Sequence, residues 1–464
     1  MNIDDQMNWP PLFSAGGRVP KRQIWLSSGE SEQPGFDHAR KGSTLLWAIA
    51  LVFVIATIGA RADNYWPGLL GPERNGWVSY FEAPNPWPEQ MRKVWQVEVG
   101  SGYGTPILAN DRIYQHARVG ENEVLWCLDL ATGSVKWWKT YPVPFKMGGG
   151  GEWHGKGPKS CPILADGRVF TMGITGVLTA WDASSGDLLW QRDYGSRFEK
   201  PHPYWGATTS PIVDANRVVV HFGGDDQGVL VALDVKTGEE VWHQGEDGAA
   251  YSSPLVAEIH GTRQIVEWNH EGLAGVESVT GRLLWEFSLP HIGTNQNMPT
   301  PSIHRDHILV GGENRGLRSI RIDREGEHWT ATEMWLQKKA PLDMSSAVIN
   351  GERLYGFTHY NSGSLFCLDV ANGNILWEGP ARAGDNATLL ATSGYVLVLL
   401  DSGELQVIEA TDQAYRQVVS YQVADTPTWA PPVLMTDGLL VKDKETLTLW
   451  SLDASDRSPT APAR

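Results

Sequence analysis

The side chains best able to do chemistry fall in short polar, glycine-rich stretches between runs of alternating apolar residues. His154 and Lys156 lie in the stretch 147–160, Trp205 in the next, and Tyr251 and His270 in the two after that. Asn297, Arg315, Asp343, His359, Trp429 and Lys442 follow in later stretches. Imidazole, ammonium, guanidinium, amide and indole groups converging on one place would bind an anionic, planar or sugar-like ligand through cation–π contacts and charge-assisted hydrogen bonds.

Other chemistries are set aside on pattern. The run 148–151 is all glycine but lacks the Lys-Ser/Thr and the strand-to-helix setting of a phosphate loop. His270-Glu271 and Asp225-Asp226 are sequence neighbours, and neighbours in extended chain point opposite ways, so neither makes a paired acid and base unaided. There is no G-x-S-x-G elbow, no C-x-x-C-H haem motif and no Cys/His spacing suited to zinc, so no metal site is expected. Of the three cysteines, Cys127 and Cys367 occupy one slot of two repeats that holds Ala232 in another, which suits a small buried residue.

The elements that must position these stretches come from a repeat. The phrase Leu-Asp-x-x-Thr-Gly-x-x-x-Trp recurs at intervals of roughly 43 to 60 residues. It runs from Asp129 to Trp137, Asp182 to Trp190, Asp234 to Trp242 and Asp369 to Trp377, with a variant from Glu277 to Trp285. Each unit reads as four strands, the first opened by Ser/Thr-Pro. First strands are expected near Thr105, Cys161, Ser210, Ser253, Thr300, Ser346, Thr388 and Pro431, which makes eight. The last unit lacks a fourth strand, and Lys93 to Val99 reads as an orphan one. The predicted fold is therefore all-β: an eight-bladed propeller of four-stranded antiparallel blades, closed by that N-terminal strand, which leaves no exposed sheet edges from an open array. The repeated Trp should pack between blades, since a ring needs one per blade and a cofactor only one or two. Connections from fourth to first and from second to third strand share one face, and the chemistry-bearing stretches all fall there. The opposite turns, such as Ala165-Asp-Gly and Asn350-Gly-Glu, carry turn formers.

The formal charge of -16 argues against a nucleic-acid partner. Residues 44–60 are almost wholly apolar, follow Arg40-Lys41 and precede Ala60-Arg61-Ala62, the pattern of an export signal or an uncleaved anchor. The expected organisation is a leading segment 1–43, a signal or anchor at 44–62, an arm at 63–92, the propeller at 93–453 and a disordered tail at 454–464. The expected location is the periplasm or cell envelope: secreted if cleaved after Ala62, otherwise anchored by 44–60, the chain's only membrane contact.

The phrases Ala-Leu-Asp-Val-Lys-Thr-Gly-Glu-Glu-Val-Trp (232–242) and Cys-Leu-Asp-Val-Ala-Asn-Gly-Asn-Ile-Leu-Trp (367–377) resemble the repeats of the PQQ-repeat eight-bladed propellers, a family that includes quinoprotein alcohol dehydrogenases and BamB-like assembly factors. The stretch from Trp66 to Trp77 is similar to the arm that precedes the propeller in exported bacterial members. The resemblance implies PQQ with calcium as a possible cofactor pair, with Asp343 as base and Arg315 or Lys442 facing the quinone. The adjacent cysteine pair of the dehydrogenases and the lipidation cysteine of the BamB-like members are both missing. The first expectation for function is thus an exported binding platform, using its loop face and funnel for a small molecule, polymer or envelope protein. A PQQ-dependent alcohol or sugar dehydrogenase is the alternative. A carbohydrate- or polymer-binding module using Trp153, Trp205 and Trp429 is the third.

Overall fold

The alternating apolar runs form eight antiparallel sheets, and no α-helix occurs among the described residues of this computed structural model, 65–293 and 296–453. The expected leading segment, export segment and tail lie outside the described residues, as does the side chain of Trp153. The sheets follow chain order as blades 1 to 7, beginning at Ile107–Ala109, Ile163–Ala165, Ile212–Asp214, Leu255–Ile259, Ser302–His304, Val348–Asn350 and Ala387–Ala391. Blade 8 comprises Val433–Leu434, Gly438–Lys442 and Thr446–Ser451, with Arg92–Glu98 paired antiparallel as its outermost strand. In seven of the eight blades the inner strand starts two residues after the Ser, Thr, Cys or Pro that opens it in sequence, and in six of these the residue in between is a proline, which has no N–H for the ladder.

The Trp and Gly of the repeat phrase explain each other. The Trp190 ring packs on the turn of the next blade, where a Cβ on Gly238 would lie 2.6 Å from it, and its Nε1–H donates to Val235 O at 3.1 Å. Trp335 does the same against Gly373 and Val370. Gly238 and Gly373 also take φ of 66° and 72°, so turn geometry and close approach both demand glycine. The second and third strands hold most of the fully buried Val, Leu and Ile, in clusters shared between neighbouring blades.

A second device links the inner strands. Their opening residues hydrogen-bond from blade to blade: Thr105 N–H to Cys161 Sγ (3.1 Å), Cys161 N–H to Ser210 Oγ (2.9 Å) and Ser210 N–H to Ser253 Oγ (2.9 Å). The chain continues from Ser253 N–H to Thr300 Oγ1 (3.2 Å) and from Thr300 N–H to Ser346 Oγ (3.0 Å). These amides precede the ladder, so a side-chain acceptor on the neighbouring blade satisfies donors that burial would otherwise strand. Cys161 takes the place of Ser or Thr in this girdle.

The arm is where the structure departs most from the sequence reading. Tyr65–Trp66 adds a short fifth strand to blade 1, antiparallel to Ile107–Ala109. Pro67 O then accepts from Leu164 N–H of blade 2 (2.8 Å), and the Arg74 guanidinium donates to Pro211 O and Pro254 O of blades 3 and 4. Gly76 meets Val348 of blade 6, and Trp77 bridges Ala391 of blade 7 in parallel. A segment touching the inner strands of six blades lies in the channel they surround. Antiparallel entry and parallel exit make it a hairpin that rises from the turn face, reverses over 68–76 and returns. Trp66, fully buried, pegs it in place. The reversal is held by Gly71 N–H to Gly68 O and Gly76 N–H to Leu70 O (3.2 and 3.0 Å).

Candidate functional site

Above the hairpin tip, on the loop face, lies a cavity of about 330 Å³. That is within the range of small-molecule sites, about 300 to 1,000 Å³. Leu69 and Leu70 of the arm line it together with the girdle, so the cavity is a funnel blocked at its base. Its wall obeys the repeat. The residue two before each strand opener lines it in every blade: Tyr103, Lys159, Thr208 and Tyr251 from blades 1 to 4, then Met298, Met344, Asn386 and Trp429 from blades 5 to 8. Extended chain repeats its facing every second residue, so this position shares the channel side with the opener.

The wall is unequal. Blades 8, 1, 2 and 4 contribute Trp429, Tyr103, Lys159 and Tyr251, joined by His154 and Trp205 from the loops. The imidazole of His154 meets Trp429 edge-on at 4.6 Å between centroids, and Trp205 tilts on Tyr251 at 5.8 Å. Trp205 N–H donates to Tyr251 Oη (3.0 Å) and its Nε1–H to Gly149 O (3.2 Å). The glycines of 148–151 have a packing reason: a Cβ on Gly148 would fall 2.5 Å from the Tyr204 ring, and one on Gly151 2.7 Å from Trp205. Opposite stand the thioethers of Met298 and Met344.

Lys159 is the one lysine in the cavity wall among the described residues. Its Nζ donates to Trp205 O at 3.1 Å, and burial pulls its pKa down to about 8. Burial, and secondarily the Lys159 charge, pulls His154 down to about 4, so its ring is neutral at physiological pH. No Asp or Glu lines the cavity among the described residues.

Of the residues singled out from sequence, His154, Trp205, Tyr251 and Trp429 meet at this cavity, and the others stand away from it. Asn297 is buried; its Nδ2 donates to Asn269 O (2.7 Å), and its backbone carbonyl accepts from Tyr251 N–H (3.1 Å), so it braces a wall residue. Arg315 lies over Trp268 (5.1 Å) and donates to Pro290 O and Gln296 O. Lys442 is fully buried, its Nζ capped by Asp443 O and Lys444 O at 2.6 and 3.1 Å. His270 stacks on His291 at 3.7 Å, and His359 Nε2 pairs with Asn314 Oδ1 at 3.2 Å. Lys156 sits near Glu121 at 3.7 Å. Asp343 is partly buried next to Met344 in sequence, and burial, aided by the Glu313 charge, raises it to about 6. Sequence reasoning passed over Tyr103, Lys159, the methionine pair and the arm leucines. The signal for the first three was the repeat register itself.

As for metals, ligand atoms of His260, Asp306 and Asp323 lie within 4.8 Å of one another, at turns of blades 4 and 5 remote from the cavity. His260 Nε2 already bonds Ile322 O (2.8 Å), and Arg321 holds Asp323 (2.8 Å).

A family model described as "Outer membrane protein assembly factor BamB" matches residues 138–379. The chain belongs to this PQQ-repeat family. The BamB of Shewanella oneidensis is 24% identical over 251 residues, a match spanning 52% of this chain and 60% of that relative. Among solved structures, BamB from Moraxella catarrhalis superimposes with a TM-score of 0.56 at 14% identity, covering 79% of this chain and 99% of the other. Quinohemoprotein alcohol dehydrogenase from Comamonas testosteroni gives 0.64 at 14% identity, covering 88% and 83%. Both structural likenesses speak to the fold alone. Assembly factors and dehydrogenases therefore share this fold, and function has to be argued from the site.

Proposed function

We propose that this chain is a ligand-binding propeller of the cell envelope, whose blind funnel takes a small molecule with an aromatic face. One observation carries the reading: the same position in all eight blades, together with two loop residues, lines a single cavity rich in Trp, Tyr, His and Met. Indole and phenol rings supply large rigid contact areas, and methionines adapt to the opposite ligand face. The arm supports a short ligand over a threaded polymer, because Leu69 and Leu70 block the channel.

The dehydrogenase alternative fares poorly on donor chemistry. Calcium takes about six to eight oxygen ligands, carboxylates prominent among them. Among the described residues the cavity offers hydroxyls and one amide but no carboxylate, so PQQ held through calcium does not fit them. Envelope location is supported by the apolar run 44–60 and by relatives named as outer-membrane protein assembly factors. The same naming supports an envelope protein as a partner of the loop face.

The test is calorimetric titration of the full-length chain with small aromatic molecules, and with PQQ with and without calcium. Aromatic binding that falls at least tenfold in Trp205→Ala and in Trp429→Ala is expected. Stoichiometric uptake of PQQ and calcium with dye-linked alcohol oxidation would replace this reading with the enzyme.

A further inference from the structure

The funnel's charge pattern says more than its shape. The protein is strongly acidic overall, yet acidic side chains are missing from the cavity lining among the described residues, and a lysine stands in its wall. Among the described residues Lys159 pairs with a backbone carbonyl, Trp205 O, and with no carboxylate. A second cation lies just below. The Arg74 guanidinium, at the tip of the arm hairpin, donates to Pro211 O and Pro254 O, which follow directly on the cavity residues Ser210 and Ser253. Its Nε is buried without a partner, and no carboxylate pairs with it among the described residues. An enclosed cation without a counter-charge is costly to bury, and a ligand that brings the missing negative charge recovers that cost. Backbone carbonyls solvate part of each charge and neutralise neither.

Resting on the proposed funnel site, we infer that its ligand is a small planar aromatic carboxylate, with the ring between Trp205 and Trp429 and the carboxylate on Lys159. Arg74 adds positive potential from beneath the floor. His154, neutral and set edge-on against Trp429, donates or accepts one hydrogen bond and adds no charge. The methionine wall covers the far ring face. Because burial holds Lys159 near 8, affinity for the carboxylate should decline as pH rises above that value, while affinity for a neutral ring should stay level.

The experiment pairs indole-3-carboxylate with indole-3-carboxamide on the full-length protein by isothermal titration. A charge-assisted hydrogen bond corresponds to a preference of about 10- to 150-fold for the carboxylate. Lys159→Met should erase that preference, so that carboxylate and carboxamide bind alike. Equal affinities for both probes in the unsubstituted protein overturn the charge inference and leave the funnel site standing; this comparison needs no variant to fold. Carboxylate binding that survives Lys159→Met and Trp205→Ala places the probe elsewhere and overturns the inference. Failure of both probes to bind at millimolar concentration removes the funnel reading and this one together.

Discussion

Replacing Trp66 with Ala should unseat the arm while leaving the ring assembled. Trp66 is fully buried among Val78, Phe81 and Leu108, and its ring lies against the turn at Gly71, where a Cβ would come within 3.2 Å. Truncating a buried Trp costs about 3–5 kcal/mol. The ring packs on the arm's own turn at Gly71, so the loss should fall on hairpin insertion as a local opening rather than on global unfolding. At about 1.4 kcal/mol per decade, amide protection in the arm should drop by about two to four powers of ten. The reporters are Val78 N–H, bonded to Ala391 O, and Leu164 N–H, bonded to Pro67 O, both at 2.8 Å. Native-state hydrogen exchange read by mass spectrometry would follow them, with third-strand amides of blades 3 and 4 as internal reference. Equal acceleration of arm and reference amides would refute the reasoning, since Trp66 would then belong to the global core. Arm amides unprotected in the parent protein would refute it more simply.

Gly238→Ala should lower stability by about 2–5 kcal/mol, from its left-handed backbone and the clash with Trp190; Gly120→Ala, at φ 59° with open space around it, should lose only about 1–2. Denaturant midpoints of the two variants isolate the blade–blade contact. His154, held down near 4, binds a proton less readily than in the unfolded chain, so its stability contribution is complete above about pH 6.5 and is lost as pH falls towards 4. An NMR titration of its ring should show no protonation above pH 5. Asp343, raised to about 6, has the opposite sense: its term is present at low pH and lost as pH climbs from about 4 through 6, checked by its carboxyl carbon shift. Millimolar calcium should leave indole-3-carboxylate affinity unchanged, since no carboxylate lines the cavity among the described residues; a calcium-dependent gain would contradict that.

Much of the fold was legible because it is written locally and repeatedly. Asp-x-x-Thr-Gly fixes a turn, the Trp four residues after the glycine fixes a blade contact, and Ser/Thr-Pro marks where an inner strand starts. Four of the eight inner strands are opened by that dipeptide, and in all eight the opener read from sequence lies within two residues of the strand's start. Part of the site was legible for the same reason. Trp205 and His154 stand out by residue type, and Tyr251 and Trp429 sit at the wall register. Lys159 shares that register, and register rather than residue type distinguishes it from Lys156, three residues earlier. Asn297, Arg315 and Lys442 look like ligand groups in sequence, but each uses its side-chain donors on backbone carbonyls, a fate set by three-dimensional neighbours. The arm was opaque for a further reason. Its contacts join residues far apart in the chain, 137 positions for Arg74 with Pro211, and no periodicity announces them.

The central claim, that the funnel floored by the arm is a ligand site, is met most directly by a crystal structure of the full-length protein grown with indole-3-carboxylate. The account predicts density for the probe between Trp205 and Trp429, its carboxylate within hydrogen-bonding distance of Lys159 Nζ, and residues 68–76 still closing the channel. An empty funnel at saturating probe, or an arm lying outside the ring, would contradict it.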